Sequence, residues 1–140
     1  MHLLDTDTLS HLHSGHRRVL AHLRGVPGSL VGTTLITKIE ILRARHAFVL
    51  KASSGEQLLE AQRWLEESEA LLGGMLVVSI SEQAAHEFNR LRKNRKLRSI
   101  GRADLLIASI ALANDATIVT RNVGHFRQIP NLRVINWVDS

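Results

Sequence analysis

The chain has 140 residues, the size of one ordinary domain, and its 44% hydrophobic and 22% charged content is that of a globular protein. A chain of this length buries roughly 70% of the surface its unfolded form would expose, so its core needs no covalent staple. It has no cysteine, which excludes a disulfide framework and thiolate metal sites, and no apolar run approaches the ~20 residues of a membrane helix. The net charge of +5, from 18 Lys and Arg against 13 Asp and Glu, suits an anionic partner. The apolar start is interrupted too soon, at Asp5, for a signal peptide, so the expectation is a soluble protein of the cytoplasm with no membrane partner.

Short apolar runs alternate with helical patterns along the chain. Met1–Leu4 reads as the first buried strand. Leu9, Leu12, His16, Val19 and Leu23 then fall on one helical face, up to the breaker Gly25-Val26-Pro27-Gly28. The second strand, Leu30–Ile36, feeds a helix with Glu40 in its first turn. After Ser53-Ser54-Gly55, the residues Leu58, Leu65 and Leu72 recur every seven positions on a further helix, which stops at Gly73-Gly74. Met75–Ile80 is the third strand, followed by a helix with Ala84, Phe88 and Leu91 on one side. Ala103–Ala113 is apolar nearly all round, which predicts a buried helix. Thr117–Thr120 and Leu132–Trp137 are the last two strands. This alternation predicts an α/β fold with a parallel sheet, without repeats, linkers or a second domain.

In a parallel sheet the C-terminal ends of the strands share one edge, and ligands bind in the crevice outside it. Asp5 follows the first strand, Glu40 lies just past the second, and Asn122 lies two residues past the fourth. Asp104 opens the helix that must deliver the chain to the bottom of the fourth strand, so it starts at the top. All four therefore belong on one edge. Three carboxylates held together repel and raise one another's pKa, and a hard divalent cation removes that repulsion. Carboxylates and an amide without cysteine favour Mg²⁺ or Mn²⁺ over zinc. Each residue also has a purely structural alternative. Thr37-Lys38-Ile39-Glu40 fits a capping box, and Asp104 can complement a helix dipole. Asp5, Asp7 or Thr8 can cap the first helix, and Asn122 can shape the turn Arg121-Asn122-Val123-Gly124. Yet Asp104 is the only acid in an apolar helix, and burial without a partner would be costly.

Leu3-Leu4-Asp5-Thr6-Asp7-Thr8-Leu9, Ile36-Thr37-Lys38-Ile39-Glu40, Gly101-Arg102-Ala103-Asp104-Leu105-Leu106-Ile107-Ala108 and Thr120-Arg121-Asn122-Val123-Gly124-His125-Phe126 occur in this order. Together they resemble a PIN domain, most of all the VapC toxins of bacterial type II toxin–antitoxin pairs. The terminal run Ile129-Pro130-Asn131-Leu132-Arg133-Val134-Ile135-Asn136-Trp137 resembles the end of such a toxin. The resemblance implies one PIN domain over residues 1–140, with a five-stranded parallel sheet flanked by helices. It implies Mg²⁺-dependent cleavage of RNA, an antitoxin partner and a homodimer. Asp5, Glu40 and Asp104 would be the acidic site, with Asn122 in the fourth position and Thr120 orienting one of them. Asn122 and His125 stand where relatives can carry acids, which points to one metal, held mainly by Asp5 and Asp104. The expected mechanism is in-line attack by an activated water, with Glu40 as positioning group or base, leaving a 5′-phosphate and a 3′-hydroxyl.

Arg90, Arg92, Lys93, Arg95, Lys96 and Arg98 put six positive charges in nine residues upstream of Asp104. Arg92, Lys93, Arg95, Lys96 and Arg98 are RNA-phosphate candidates; the alternatives are a solvated helix face or docking of an acidic antitoxin segment. His11, His13, His16 and His22 contain no i, i+4 pair and read as solvated or interface residues rather than a metal site. Two rival functions remain at this level. A degenerate PIN-like module would bind RNA or a partner without catalysis. A small phosphatase would use Asp5 and Asp7, since Asp5-Thr6-Asp7-Thr8 also resembles the start of a haloacid-dehalogenase-type site, though without a convincing downstream lysine motif.

Overall fold

The computed structural model describes residues 1–140. Five strands form one parallel sheet: β1 (His2–Leu4), β2 (Val31–Thr34), β3 (Leu76–Val78), β4 (Thr117–Val119) and β5 (Arg133–Ile135). Their order is β3-β2-β1-β4-β5, and every pairing is parallel. The five strands lie inside the five predicted runs, each trimmed at one or both ends. Seven helices pack around them: α1 (Thr6–His13), α2 (Arg17–Arg24), α3 (Leu35–Lys51), α4 (Gly55–Gly73), α5 (Glu82–Arg92), α6 (Arg102–Ala113) and α7 (Val123–Phe126). No helix is long and apolar enough to cross a membrane.

Alternation along the strands divides the core. Leu3 and Ile118 face one side, with Leu91 of α5 and Ile107, Ile110 and Ala111 of α6. Leu4 and Val119 face the other, with Leu9, Val19, Leu72 and Trp137. Both faces of the sheet are covered, as a parallel sheet requires. The expected burial of the residue 103–113 helix holds: Leu105 and Ile107 through Ala111 are all buried.

Two helical expectations change. The face running from Leu9 to Leu23 is split over two helices, because Ser14 and Gly15 end α1 and Gly15 adopts φ +79°, a conformation glycine tolerates. The seven-residue stripe on α4 is not its core face: Leu72 is buried, but Leu58 is 45% exposed, and Ala61 and Ser68 take the inner positions instead. Gly32 is fixed by close approach. A Cβ there would sit 2.6 Å from the Leu76 carbonyl oxygen on β3.

Candidate active site

β1 lies between β2 and β4, which are reached by connections running in opposite directions across the sheet. The crevice at such a reversal is where an open α/β sheet receives a ligand. Asp5 stands there, directly after β1. Its N–H donates to the Val119 carbonyl of β4 (3.0 Å), and its carbonyl accepts from Leu9 N–H (2.9 Å). Its Oδ1 accepts from Thr8 N–H at 2.9 Å, so the carboxylate caps α1. Two further hydroxyls tie the strand ends around it: Thr33 donates to the Leu4 carbonyl (2.6 Å) and Thr8 to the Val119 carbonyl (3.1 Å).

Asp5 is only 9% exposed and forms no ion pair with any Lys, Arg or His. Burial pushes its carboxyl above the ordinary value, and the hydrogen bonds from Thr120 and Thr8 only partly oppose this. Thr120 is fully buried after β4, and its Oγ1 accepts from Asn122 N–H (3.0 Å). A buried carboxylate without a counter-cation is the feature that a hard cation would complete.

Glu40 reaches the same edge from α3, but by a route the sequence did not disclose. The helix begins after Thr34, whose hydroxyl accepts from Thr37 N–H (3.2 Å). Glu40 therefore lies in the second turn, and the expected capping box starting at Thr37 does not form. Glu40 Oε1 instead accepts from the Thr6 hydroxyl at 2.7 Å, which links it to the residue beside Asp5. The Thr6 hydroxyl also lies 3.4 Å from that of Thr37. Thr6 was not singled out from the sequence, although it sits inside the Asp5-Thr6-Asp7-Thr8 motif.

Asp104 lies in the first turn of α6, as expected, but is not buried: its side chain is 38% exposed. It is also not alone, since His125 Nε2 on α7 lies 3.1 Å from its Oδ2. Asn122 sits at the N-cap position just before α7, is exposed, and its side chain makes no capping bond. The structure thus ties Glu40 to Thr6, the neighbour of Asp5, ties the Asn122 backbone to Thr120, and places His125 beside Asp104. It does not bring three carboxylates or histidines into one ready ligand set. Magnesium commonly takes only one or two carboxylates, with water and substrate phosphate completing its shell. The oxygen donors of this edge and the uncompensated Asp5 fit that chemistry.

The other candidates separate. Asp7 is more than half exposed and lies 3.6 Å from His11 Nδ1, so it faces solvent rather than forming an acid/base pair with Asp5. The basic run is not one helix face. Arg92 ends α5, Lys93 follows as its cap, and Arg95 and Lys96 lie in a separate turn, Arg95–Leu97, with Arg98 after it. His11 packs edge-on against His16, His13 lies 3.5 Å from Glu67, and His22 stacks on Trp137. No histidine group holds a metal arrangement.

Residues 2–132 match the PIN domain family, and the chain belongs to that family. It is 38% identical over 68 residues to Ribonuclease VapC2 of Rickettsia felis, a stretch covering 47% of this chain and 51% of that one. The match therefore spans about half the length of that relative. Among solved structures, the fold is similar to a chain of VapBC2 from Rickettsia felis bound to a DNA fragment from their promoter. That similarity has a TM-score of 0.77 at 25% identity and covers 97% of this chain and 98% of the other. It is also similar to a chain of FitAcB from Neisseria gonorrhoeae, with a TM-score of 0.74 at 27% identity and full coverage of both.

Proposed function

Because the chain is a PIN domain, we propose that it is the toxin of a type II toxin–antitoxin pair, a magnesium-dependent endoribonuclease that hydrolyses RNA phosphodiester bonds. Its partners would be RNA, a cognate antitoxin and a second copy of itself, in the cytoplasm. The observation that carries this reading is Asp5, a buried carboxylate without a counter-cation, at the sheet's topological reversal and next to Thr6, which binds Glu40. The likeness to a protein named a ribonuclease and to VapBC and FitAcB chains supports it.

Asp5 and Asp104 would hold Mg²⁺, with Mn²⁺ as a substitute. When bound, the cation supplies Lewis acidity, lowering the pKa of water and offsetting charge that grows on the phosphate oxygens. Thr6 fixes Glu40 through Oε1 and leaves Oε2 free to take the proton of the attacking water. His125 orients Asp104. The exposed Asn122 amide, with no internal partner, is available to donate to a phosphate oxygen. In-line attack would release a 5′-phosphate and a 3′-hydroxyl.

The test is RNA cleavage by the wild type, Asp5→Asn and Asp104→Asn, each with Mg²⁺ and with EDTA. Wild-type activity should vanish in EDTA, and each variant should lose at least about a hundredfold, beyond what supporting residues of a metal site cost. If both variants keep wild-type activity, the proposal fails. A module that binds without catalysis is the second reading, favoured by the His125 contact that occupies Asp104 Oδ2. Salt-dependent RNA binding without Mg²⁺-dependent cleavage would decide for it.

A further inference from the structure

Between α5 and α6 runs an open cleft of about 250 Å³, lined by Phe88, Leu91, Arg92, Arg98, Arg102 and Leu105 among others. Its three arginines come from the end of α5, the segment after the Arg95–Leu97 turn, and the start of α6. Phe88 gathers two of them: the Arg92 and Arg102 guanidinium carbons lie 5.5 and 5.4 Å from its ring centroid. None of the three is paired with a carboxylate. The nearby Arg90 is different, since Glu87 neutralises it. The fold therefore collects three uncompensated guanidinium groups, separated by up to ten positions in sequence, around one half-buried aromatic ring.

We propose that this cleft binds the backbone of single-stranded RNA beside the cleavage site, an inference that rests on the ribonuclease reading. Its volume is below the ~300–1,000 Å³ of pockets that bury a whole small ligand, so it suits part of a polymer. Guanidinium forks match phosphate oxygens, and their planes offer stacking surfaces to unpaired bases. Arg102 opens α6 in the same turn that carries Asp104, so the α6 end of the cleft lies at the carboxylate edge of the sheet. Arg102 and Phe88 thereby join the substrate-contacting residues, while Arg95 and Lys96 fall outside the cleft.

The experiment measures binding of a fluorescein-labelled mixed-sequence single-stranded RNA in EDTA, across a salt series. The wild type is compared with Arg92→Gln/Arg98→Gln/Arg102→Gln and with a control, Arg17→Gln/Arg24→Gln, on the exposed face of α2. If each cleft guanidinium neutralises one phosphate, the triple variant loses about 2 from the log–log salt slope. Between about 50 and 200 mM salt, the change in its Kd should then be about twentyfold smaller than for the wild type. The control should keep the wild-type slope. An unchanged slope in the triple variant overturns the inference even where the wild type cleaves RNA. Loss of binding to a poly-glutamate peptide with unchanged RNA binding also overturns it, in favour of an acidic protein segment. RNA binding through the cleft with no Mg²⁺-dependent cleavage leaves the inference standing and removes the nuclease reading.

Discussion

Replacing Asp5 separates its electrostatic role from its role in the helix. Asp5→Asn keeps an oxygen that can accept from Thr8 N–H, so α1 stays capped, while the buried charge is removed. Asp5→Ala removes both. Without divalent cation at neutral pH, Asp5→Asn should melt above the wild type, and Asp5→Ala should lie below Asp5→Asn by about 1 kcal/mol, or about 4 °C in a domain of this size. The pH dependence has a definite sign. Burial raises the folded-state pKa of Asp5, so the folded protein holds that proton more tightly than the unfolded chain. The cost of the ionised group is absent below the ordinary carboxylate range, sets in as pH rises towards the raised value, and is complete above it. The gap between wild type and Asp5→Asn should therefore close on acidification. At Mg²⁺ ten times above its Kd, the wild type should gain about 1.4 kcal/mol and Asp5→Asn should gain little. Thermal melts over a pH series, with and without Mg²⁺, read all of this. If metal-free Asp5→Asn is less stable than the wild type by more than about 1 kcal/mol, or if Mg²⁺ raises both melting points equally, the uncompensated-charge reasoning is refuted.

Gly32→Ala places a Cβ 2.6 Å from the Leu76 carbonyl, a backbone atom that moves only if β2 and β3 separate. Chemical denaturation should show a loss of about 1–3 kcal/mol, the usual cost of overpacking. Thr6→Val removes the hydroxyl that holds Glu40 Oε1. It should lower kcat for RNA cleavage about five- to tenfold with KM nearly unchanged, while stability stays within about 1 kcal/mol of the wild type. An unaltered kcat would show that Glu40 needs no such anchor.

Much of the framework was determined by sequence alone, because its signals are local. β-rich apolar runs a few residues long, separated by helical periods, mark the five strands and their parallel arrangement. From that arrangement follows the shared edge of Asp5, Glu40, Asp104 and Asn122, since a helix leading into a parallel strand must begin at the strand's far end. The near-uniform apolarity of Ala103–Ala113 likewise foretold its burial.

Tertiary structure decided the contacts. Periodicity could not show that Ser14 and Gly15 divide one apparent helix into α1 and α2, because Leu9 and Val19 still face the same core after the break. The seven-residue leucine stripe of α4 misled for a related reason: burial there is set by which residues meet α3 and the sheet, and Ala61 and Ser68 fit the inner positions. Thr34 rather than Thr37 caps α3 because β2 ends there, which moves Glu40 into the second turn and within reach of Thr6. Asp104 and His125 are 21 positions apart and meet only because α6 and α7 both start on the edge where β4 ends. The chain could place the carboxylates on one edge, since topology carries each strand end there. It could not say that Asp5 alone is buried without a counter-charge while Asp104 is half-buried beside His125, because that depends on packing and on distances of a few ångströms.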